Sequence, residues 1–269
     1  MNDQFVQASH RIAYSISGQG PRWLVMSHSL GCCKDMWAAQ VAEFGTSYRV
    51  LTYDLPGHGD SETTERKGSL DNLAEDLLTT LDALGVERAH FVGISIGGMI
   101  GQVAALAQPE RFHGLVLANT SGQMPESTHP DWLARIAQAR SHGVGSLAGP
   151  SLERWFTPEF RSDHPAVIEA LAVQFARTAV PGYAECCEAI MGLSTISRLP
   201  GLRVPTLVIS GSRDVGAPPA AARALQSQLP NGRLAVIDGA GHLSCIDHPH
   251  EFNTLCSEFL GNLDRTANH

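Results

Sequence analysis

Apolar residues fall into two alternating patterns along this chain. Near-continuous apolar runs occur at 23–27, 49–53, 90–93, 115–118 and 205–210, with a further one at 233–237. Runs that do not alternate with polar residues predict strands buried on both faces, as in a parallel sheet. Between them the apolar spacing changes to three and four. Leu70, Leu73, Leu77, Leu78, Leu81 and Leu84 form one stripe, and Ile96, Met99, Ile100, Val103 and Ala107 form a second that ends near Pro109. Both predict amphipathic helices. Strand followed by helix, repeated, predicts a doubly wound α/β sheet. The N-terminal pieces 5–8 and 11–17 are short and alternate better, which predicts an antiparallel pair at the sheet edge.

The strand–helix alternation stops at 122–199. That stretch has helical patterning, is rich in Trp and Arg, and lacks strand-like runs. It reads as a helical cap inserted in the α/β domain, leaving 1–121 and 200–269 as the core domain. A chain of 269 residues with 43% hydrophobic content can bury the core this division needs. The net charge of −8 disfavours a nucleic-acid partner. Met1-Asn2-Asp3-Gln4 is polar and acidic, unlike a secretory signal, and no apolar run reaches membrane-spanning length. The six cysteines include two vicinal pairs, Cys32-Cys33 and Cys186-Cys187, with no zinc-ligand spacing, so buried reduced thiols are expected. Together these features predict a cytoplasmic protein, monomeric or homodimeric, with no membrane partner.

Gly93-Ile94-Ser95-Ile96-Gly97 is the only G-x-S-x-G in the chain, and it follows a strand-like run and opens a helix-like one. A nucleophile elbow requires this context: a sharp turn lifts the serine Oγ clear of the sheet, and small glycines let the backbone pass. The helix N-terminus below offers free N–H groups to a developing anion. A glycine-rich turn with an incidental serine is the bland alternative. Serine needs an adjacent base, and an elbow of this kind is followed in chain order by an acid and then a histidine. Asp214 lies just past the run ending at Ser210, and His242 lies just past the next run. Catalytic groups gather at the C-terminal edge of such a sheet. Taken singly, Asp214 is equally a cap for a helix beginning near Pro218, and His242 is equally an ordinary loop histidine. His28, His58 and His248 are also in loops, but only His242 follows the last strand-like run. Asp238 precedes His242 too closely to reach its far nitrogen. Oxyanion stabilisation needs two backbone N–H groups. They are expected from Ile96, directly after the serine, and from Leu30, in the loop after the strand ending at Ser27. The segment Asp54-Leu55-Pro56-Gly57-His58-Gly59-Asp60-Ser61 carries strong turn signals and reads as a structural loop. One His flanked by Asp residues lacks a metal-ligand set, and no metal or cofactor is expected.

These motifs make the chain resemble the α/β-hydrolase family over nearly its whole length. More narrowly it is similar to the β-ketoadipate (3-oxoadipate) enol-lactonases. The closer likeness rests on Ser29-Leu30-Gly31 followed by Met36-Trp37, and on cap segments: Trp132-Leu133-Ala134-Arg135 with Arg140 and Gly143, Arg154-Trp155-Phe156-Thr157, and Gly182-Tyr183 leading to Cys187-Glu188-Ala189-Ile190. Relative to those lactonases, His28 stands where Asn is usual, Pro56 where Arg is usual and Ile96 where Met is usual; the backbone donors survive all three changes. The resemblance implies hydrolysis of a small lactone or carboxylic ester through an acyl-enzyme, in aromatic catabolism. Trp132 and Arg135 are three apart, hence on one helical face, and suit a flat acyl group and a carboxylate. Arg135 reads equally as a surface residue covering cap core with its aliphatic stem, and Trp155-Phe156 as cap core. The same triad and fold also serve carbon–carbon bond hydrolysis of ring-cleavage products. A lactone-binding receptor without catalysis is the remaining class.

Overall fold

The computed structural model of the chain describes residues 4–266; the terminal residues 1–3 and 267–269, with the polar start Met1-Asn2-Asp3, lie outside the described residues. Eight strands form one sheet: β1 (Gln4–Gln7), β2 (Arg11–Ser17), β3 (Trp23–Ser27), β4 (Arg49–Tyr53), β5 (Ala89–Ile94), β6 (Phe112–Ala118), β7 (Thr206–Gly211) and β8 (Gly232–Ile237), in the order β1-β2-β4-β3-β5-β6-β7-β8. As their alternation predicts, the first two strands pair antiparallel, and β2 joins β4 antiparallel. Every later pairing is parallel. The near-continuous apolar runs become β3 to β7, and β5 and β7 are buried at every position. The last run departs from its neighbours: β8 is the sheet edge, and Val236 on it is 46% exposed. An edge strand has only one neighbour to cover it, which no residue pattern of that length distinguishes.

Helices flank the sheet: α1 (Ala38–Phe44), α2 (Leu70–Ala83) and α3 (Ile96–Ala107) in the first half. The Ser69 hydroxyl caps α2 by accepting the Asn72 N–H at 3.1 Å. Its leucine stripe is buried from Leu70 to Leu81. Between β6 and β7 the chain forms α4 (His129–His142), α5 (Ala148–Trp155), α6 (Pro158–Asp163), α7 (Pro165–Ala176) and α8 (Val180–Met191). After β7 follow α9 (Pro219–Ser227), α10 (Ser244–Asp247) and α11 (Pro249–Thr266). The base of the helical insert is stapled where the chain leaves and re-enters the sheet layer: Gln123 bridges Ser194, and the Thr195 N–H donates to the Gly122 carbonyl at 2.9 Å. Its far side is tied down by Arg66, which binds Asp76 on α2 and Glu185 on α8.

The register of the parallel strands positions the site. Ser27 aligns with Gly93, Ile94 with Ala118, and Gly211 with Ile237. Their C-terminal ends are therefore level, and the loops after β3, β5, β6, β7 and β8 open on one edge of the sheet. All six cysteines are free and buried. No described helix is long and apolar enough to cross a membrane.

Candidate active site

Ser95 stands between β5 and α3 with φ of +56°. A left-handed backbone on a serine is strained and persists only where the surroundings enforce it. Here the enforcement comes from close packing under the turn. A Cβ on Gly93 would run into the Gly97 carbonyl, and one on Gly97 into the Ser27 carbonyl, so α3 approaches the sheet only with glycine at both positions. The Ser95 N–H is held by the Ala118 carbonyl at 2.9 Å and its carbonyl by the Thr120 hydroxyl at 2.8 Å.

The Ser95 Oγ lies 3.0 Å from Nε2 of His242, whose Nδ1 lies 3.0 and 2.9 Å from the two carboxylate oxygens of Asp214. The network assigns the tautomer: Nδ1–H donates to the carboxylate, leaving Nε2 as acceptor for the serine hydroxyl. Asp214 is buried, and three further donors hold it. The Gly216 and Ala217 N–H groups donate to Oδ1 at 2.7 and 2.9 Å, and Asn119 Nδ2 donates to Oδ2 at 3.0 Å. Burial alone pushes this carboxyl upward. The adjacent His242, together with hydrogen bonds from His242, Ala217 and Asn119, outweighs it and holds Asp214 below the usual carboxylate range. Asp214 does not cap α9, whose N-cap is Pro218. His242 is set by the insert: its backbone N–H donates to the Trp155 carbonyl at 2.7 Å.

The rival histidines are placed elsewhere. His28 is fully buried, with Nδ1–H on the Ser29 carbonyl at 2.8 Å and Nε2 accepting the Leu55 N–H at 2.9 Å. Burial pushes it down to about 4. His58 donates from Nδ1 to the Pro56 carbonyl at 2.9 Å, and burial with the neighbouring His28 lowers it to about 3. His248 contacts Asp247, and Asp238 accepts from the Ser212 hydroxyl. The Asp54 loop is organised by Lys34. The Asp54 carboxylate accepts the Lys34 N–H at 2.6 Å, its Nζ at 3.2 Å and the Asp60 N–H at 3.0 Å. Among the described residues no group of three His, Cys, Asp or Glu side chains is arranged to hold a metal ion.

A cavity opens above Ser95, between the sheet edge and the insert. Ser95, His242 and Leu30 line it, as do Trp132 and Arg135 on α4. Ile96 is the first residue of α3, so its N–H has no acceptor within the helix. The Arg135 guanidinium lies 5.5 Å from the Trp132 ring and donates to the Tyr183 hydroxyl at 2.9 and 3.1 Å and to Ser151 Oγ at 2.8 Å. Arg135 thus faces the cavity and braces α5 and α8 together. Trp155 and Phe156 are buried, and Trp155 also lines the cavity.

A family model of the alpha/beta hydrolase fold matches residues 22–249. The chain belongs to the α/β-hydrolase family. As a member of that family it is an enzyme, a hydrolase. The chain is 36% identical over 241 residues to 3-oxoadipate enol-lactonase 2 of Acinetobacter baylyi, covering 89% of each protein. It superposes with a TM-score of 0.91 on the crystal structure of the enol-lactonase from Burkholderia xenovorans LB400, at 34% identity, covering 96% of this chain and all of that one. A hydrolase from Pseudomonas aeruginosa gives a TM-score of 0.92 at 34% identity, covering 97% and 98% of the two chains.

Asn119, Arg154 and Lys34 carry no site role in the sequence pattern of this hydrolase. Asn119 follows β6 with φ of +47°, a conformation that Asn tolerates better than most residues. Its position just past a strand run was the signal available. Arg154 lines the cavity; in the sequence it stands only as part of the enol-lactonase-like segment Arg154-Trp155-Phe156-Thr157.

Proposed function

We propose that this protein is a serine hydrolase that cleaves a small lactone or carboxylic ester through an acyl-enzyme, acting in the cytoplasm as an enol-lactonase-like enzyme of aromatic catabolism. The observation that carries the reading is the Ser95–His242–Asp214 chain of hydrogen bonds on a strained elbow under a cavity. Ser95 Oγ attacks the substrate carbonyl while Nε2 of His242 takes its proton. Asp214 stabilises the imidazolium and fixes its orientation. The carbonyl oxygen becomes an oxyanion that the N–H groups of Ile96 and Leu30 receive. Collapse breaks the acyl–oxygen bond. The leaving oxygen takes the proton from His242, and in a lactone it stays attached to the acyl chain. A water molecule, deprotonated by His242, then attacks the acyl-enzyme and releases the carboxylate and Ser95. With an enol lactone the leaving group is an enol, which tautomerises to the ketone.

Trp132 and Arg135 supply the substrate's other end, a flat acyl group over the indole and a carboxylate on the guanidinium. The enol-lactonase relatives support an acidic lactone. The test is covalent labelling with a fluorophosphonate, read by intact mass and peptide mapping, alongside turnover of a panel of lactones and aryl esters. Label on Ser95 and loss of turnover in Ser95→Ala, on the order of 10⁶-fold, are the expected results. Label on another serine, or near-normal turnover in Ser95→Ala, overturns the proposal.

A further inference from the structure

A backbone N–H can be aimed only by turning its whole peptide unit. The peptide between Ser29 and Leu30 is planar and trans, so its carbonyl and its N–H point in opposite directions. Whatever grips the Ser29 carbonyl therefore fixes the heading of the Leu30 N–H. Two donors reach that oxygen, the Cys32 N–H at 3.0 Å and Nδ1–H of His28 at 2.8 Å. The Cys32 bond closes the turn on itself and sets its internal shape. The His28 bond ties the turn to its neighbour, because Nε2 of the same ring accepts the N–H of Leu55, in the loop after β4, at 2.9 Å. One ring thus joins the loops that follow two adjacent strands, as donor to the first and acceptor from the second.

The ring and the turn are held on every side. His28 is fully buried. A Cβ on Gly97 would strike the Ser27 carbonyl and crowd that of His28, so the backbone at residue 28 rests against α3. Gly31 has φ of +73°, and a Cβ there would strike the Phe175 ring on α7. Leu30 lies between these two clamps and lines the cavity with Ser95, whereas His28 is not on the cavity wall. Only a neutral ring with its proton on Nδ1 can both donate to Ser29 and accept from Leu55. Burial keeps the ring in that form, holding it down to about 4. The imidazole then presents one donor and one acceptor, as a carboxamide does.

We infer that His28 is a positioning residue of the oxyanion hole: by holding the Ser29 carbonyl against the Leu55 loop, it aims the Leu30 N–H at the oxygen of the carbonyl that Ser95 attacks. The inference rests on the serine-hydrolase reading above. Its effect falls on the tetrahedral state, where that oxygen carries a full charge, and scarcely on substrate binding, where it does not.

The experiment compares His28→Leu, His28→Asn and His28→Gln in turnover of an aryl ester and in inhibition by an aryl trifluoromethyl ketone. A serine nucleophile adds to that ketone to give an anionic tetrahedral adduct. His28→Leu is expected to lower kcat roughly 10- to 100-fold with KM within about twofold, and to weaken the ketone by the same factor as kcat/KM. His28→Asn, with a donor and an acceptor, restores most of both. Assays run well below each variant's melting temperature, since a merely structural role lowers that temperature without separating kcat from KM. If His28→Leu does not fold, His28→Gln carries the test: its amide stands one methylene further out, and its kcat falls below that of His28→Asn. Native kcat in folded His28→Leu, or in His28→Gln in its place, overturns the inference. So does a loss confined to KM, or a loss in His28→Asn as deep as in His28→Leu. Failure of the serine-hydrolase reading is distinct: the unsubstituted protein is then neither labelled at Ser95 by a fluorophosphonate nor inhibited by the ketone.

Discussion

Asp214 accepts hydrogen bonds from a histidine, an asparagine side chain and two backbone N–H groups, so its orientation is set from both sides. Asp214→Asn keeps the volume but removes the charge and favours the wrong imidazole tautomer; turnover falls roughly 10⁴-fold with the melting temperature little changed. Full activity in that variant assigns the role to another acid. In the proposed mechanism Asn119 is a positioning residue: it also donates to the Gly241 carbonyl at 3.1 Å and accepts from the Ser244 hydroxyl at 2.6 Å, linking the acid to the histidine loop. Asn119→Ala lowers kcat about 10- to 100-fold with a small change in KM, and a KM-dominated effect contradicts that placement. Arg135→Ala raises KM for acidic lactones roughly 10- to 100-fold and scarcely alters a neutral ester. Because Arg135 also bridges Tyr183 and Ser151, the comparison uses initial rates well below the variant's melting temperature; equal losses on both substrates identify a purely structural role. Ser95, Asp214 and His242 were legible in the sequence because each follows a strand-like run, in an order the chemistry requires. Asn119 was not singled out, since an asparagine after a strand is an ordinary turn residue until its side chain is seen on Asp214.

At the scale of elements, the insert is held by backbone contact where side chains are absent. Gly57 and Gly182 touch: a Cβ on Gly182 would strike the Pro56 carbonyl, and the Ala179 N–H donates to the Gly57 carbonyl at 2.8 Å. The loop beginning at Asp54 therefore carries α8, and through α8 the Tyr183 that braces Arg135. Gly182→Val forces the two elements apart. An overpacking cost of about 1–3 kcal/mol lowers the melting temperature by roughly 3–10 °C, and limited proteolysis cuts the insert before the sheet. Gly149→Ala on α5 is the control, since a Cβ there meets nothing within 4 Å. Equal melting temperatures for the two variants show that the glycine contact does not hold the insert. The turn character of 54–61 was visible in its glycines and proline. Its partnership with α8 was not, because the two segments are more than a hundred residues apart.

For the whole molecule, stability depends on keeping His28 and His58 neutral in the interior. Their folded values of about 4 and about 3 lie below the ~6.5 of an unfolded histidine. Below ~6.5 the unfolded chain takes up protons that the folded chain refuses, so stability falls as pH drops, until the folded values are reached. Above ~6.5 neither group contributes. Asp214 adds its loss at lower pH, since a depressed carboxyl stabilises the fold above its unfolded value and loses that contribution as it protonates. Denaturant titrations at pH 7 and pH 4.5 show a decrease to which each histidine contributes on the order of 2 kcal/mol, and His58→Gln reduces the slope. A slope unchanged in His58→Gln assigns the acid sensitivity elsewhere.

The sequence by itself determined the strands, the flanking helices and the chain order of serine, acid and histidine, because hydrophobic period and strand-end position are local properties. The tertiary structure decided which loops share an edge, through the strand register, and which side chains face the cavity. It placed β8 at the sheet margin, turned Asn119 onto Asp214, and brought Arg135 and Arg154 to the wall of one cavity. Such relations join residues distant along the chain. They are set by how strands and helices pack, and no local pattern of residues encodes them.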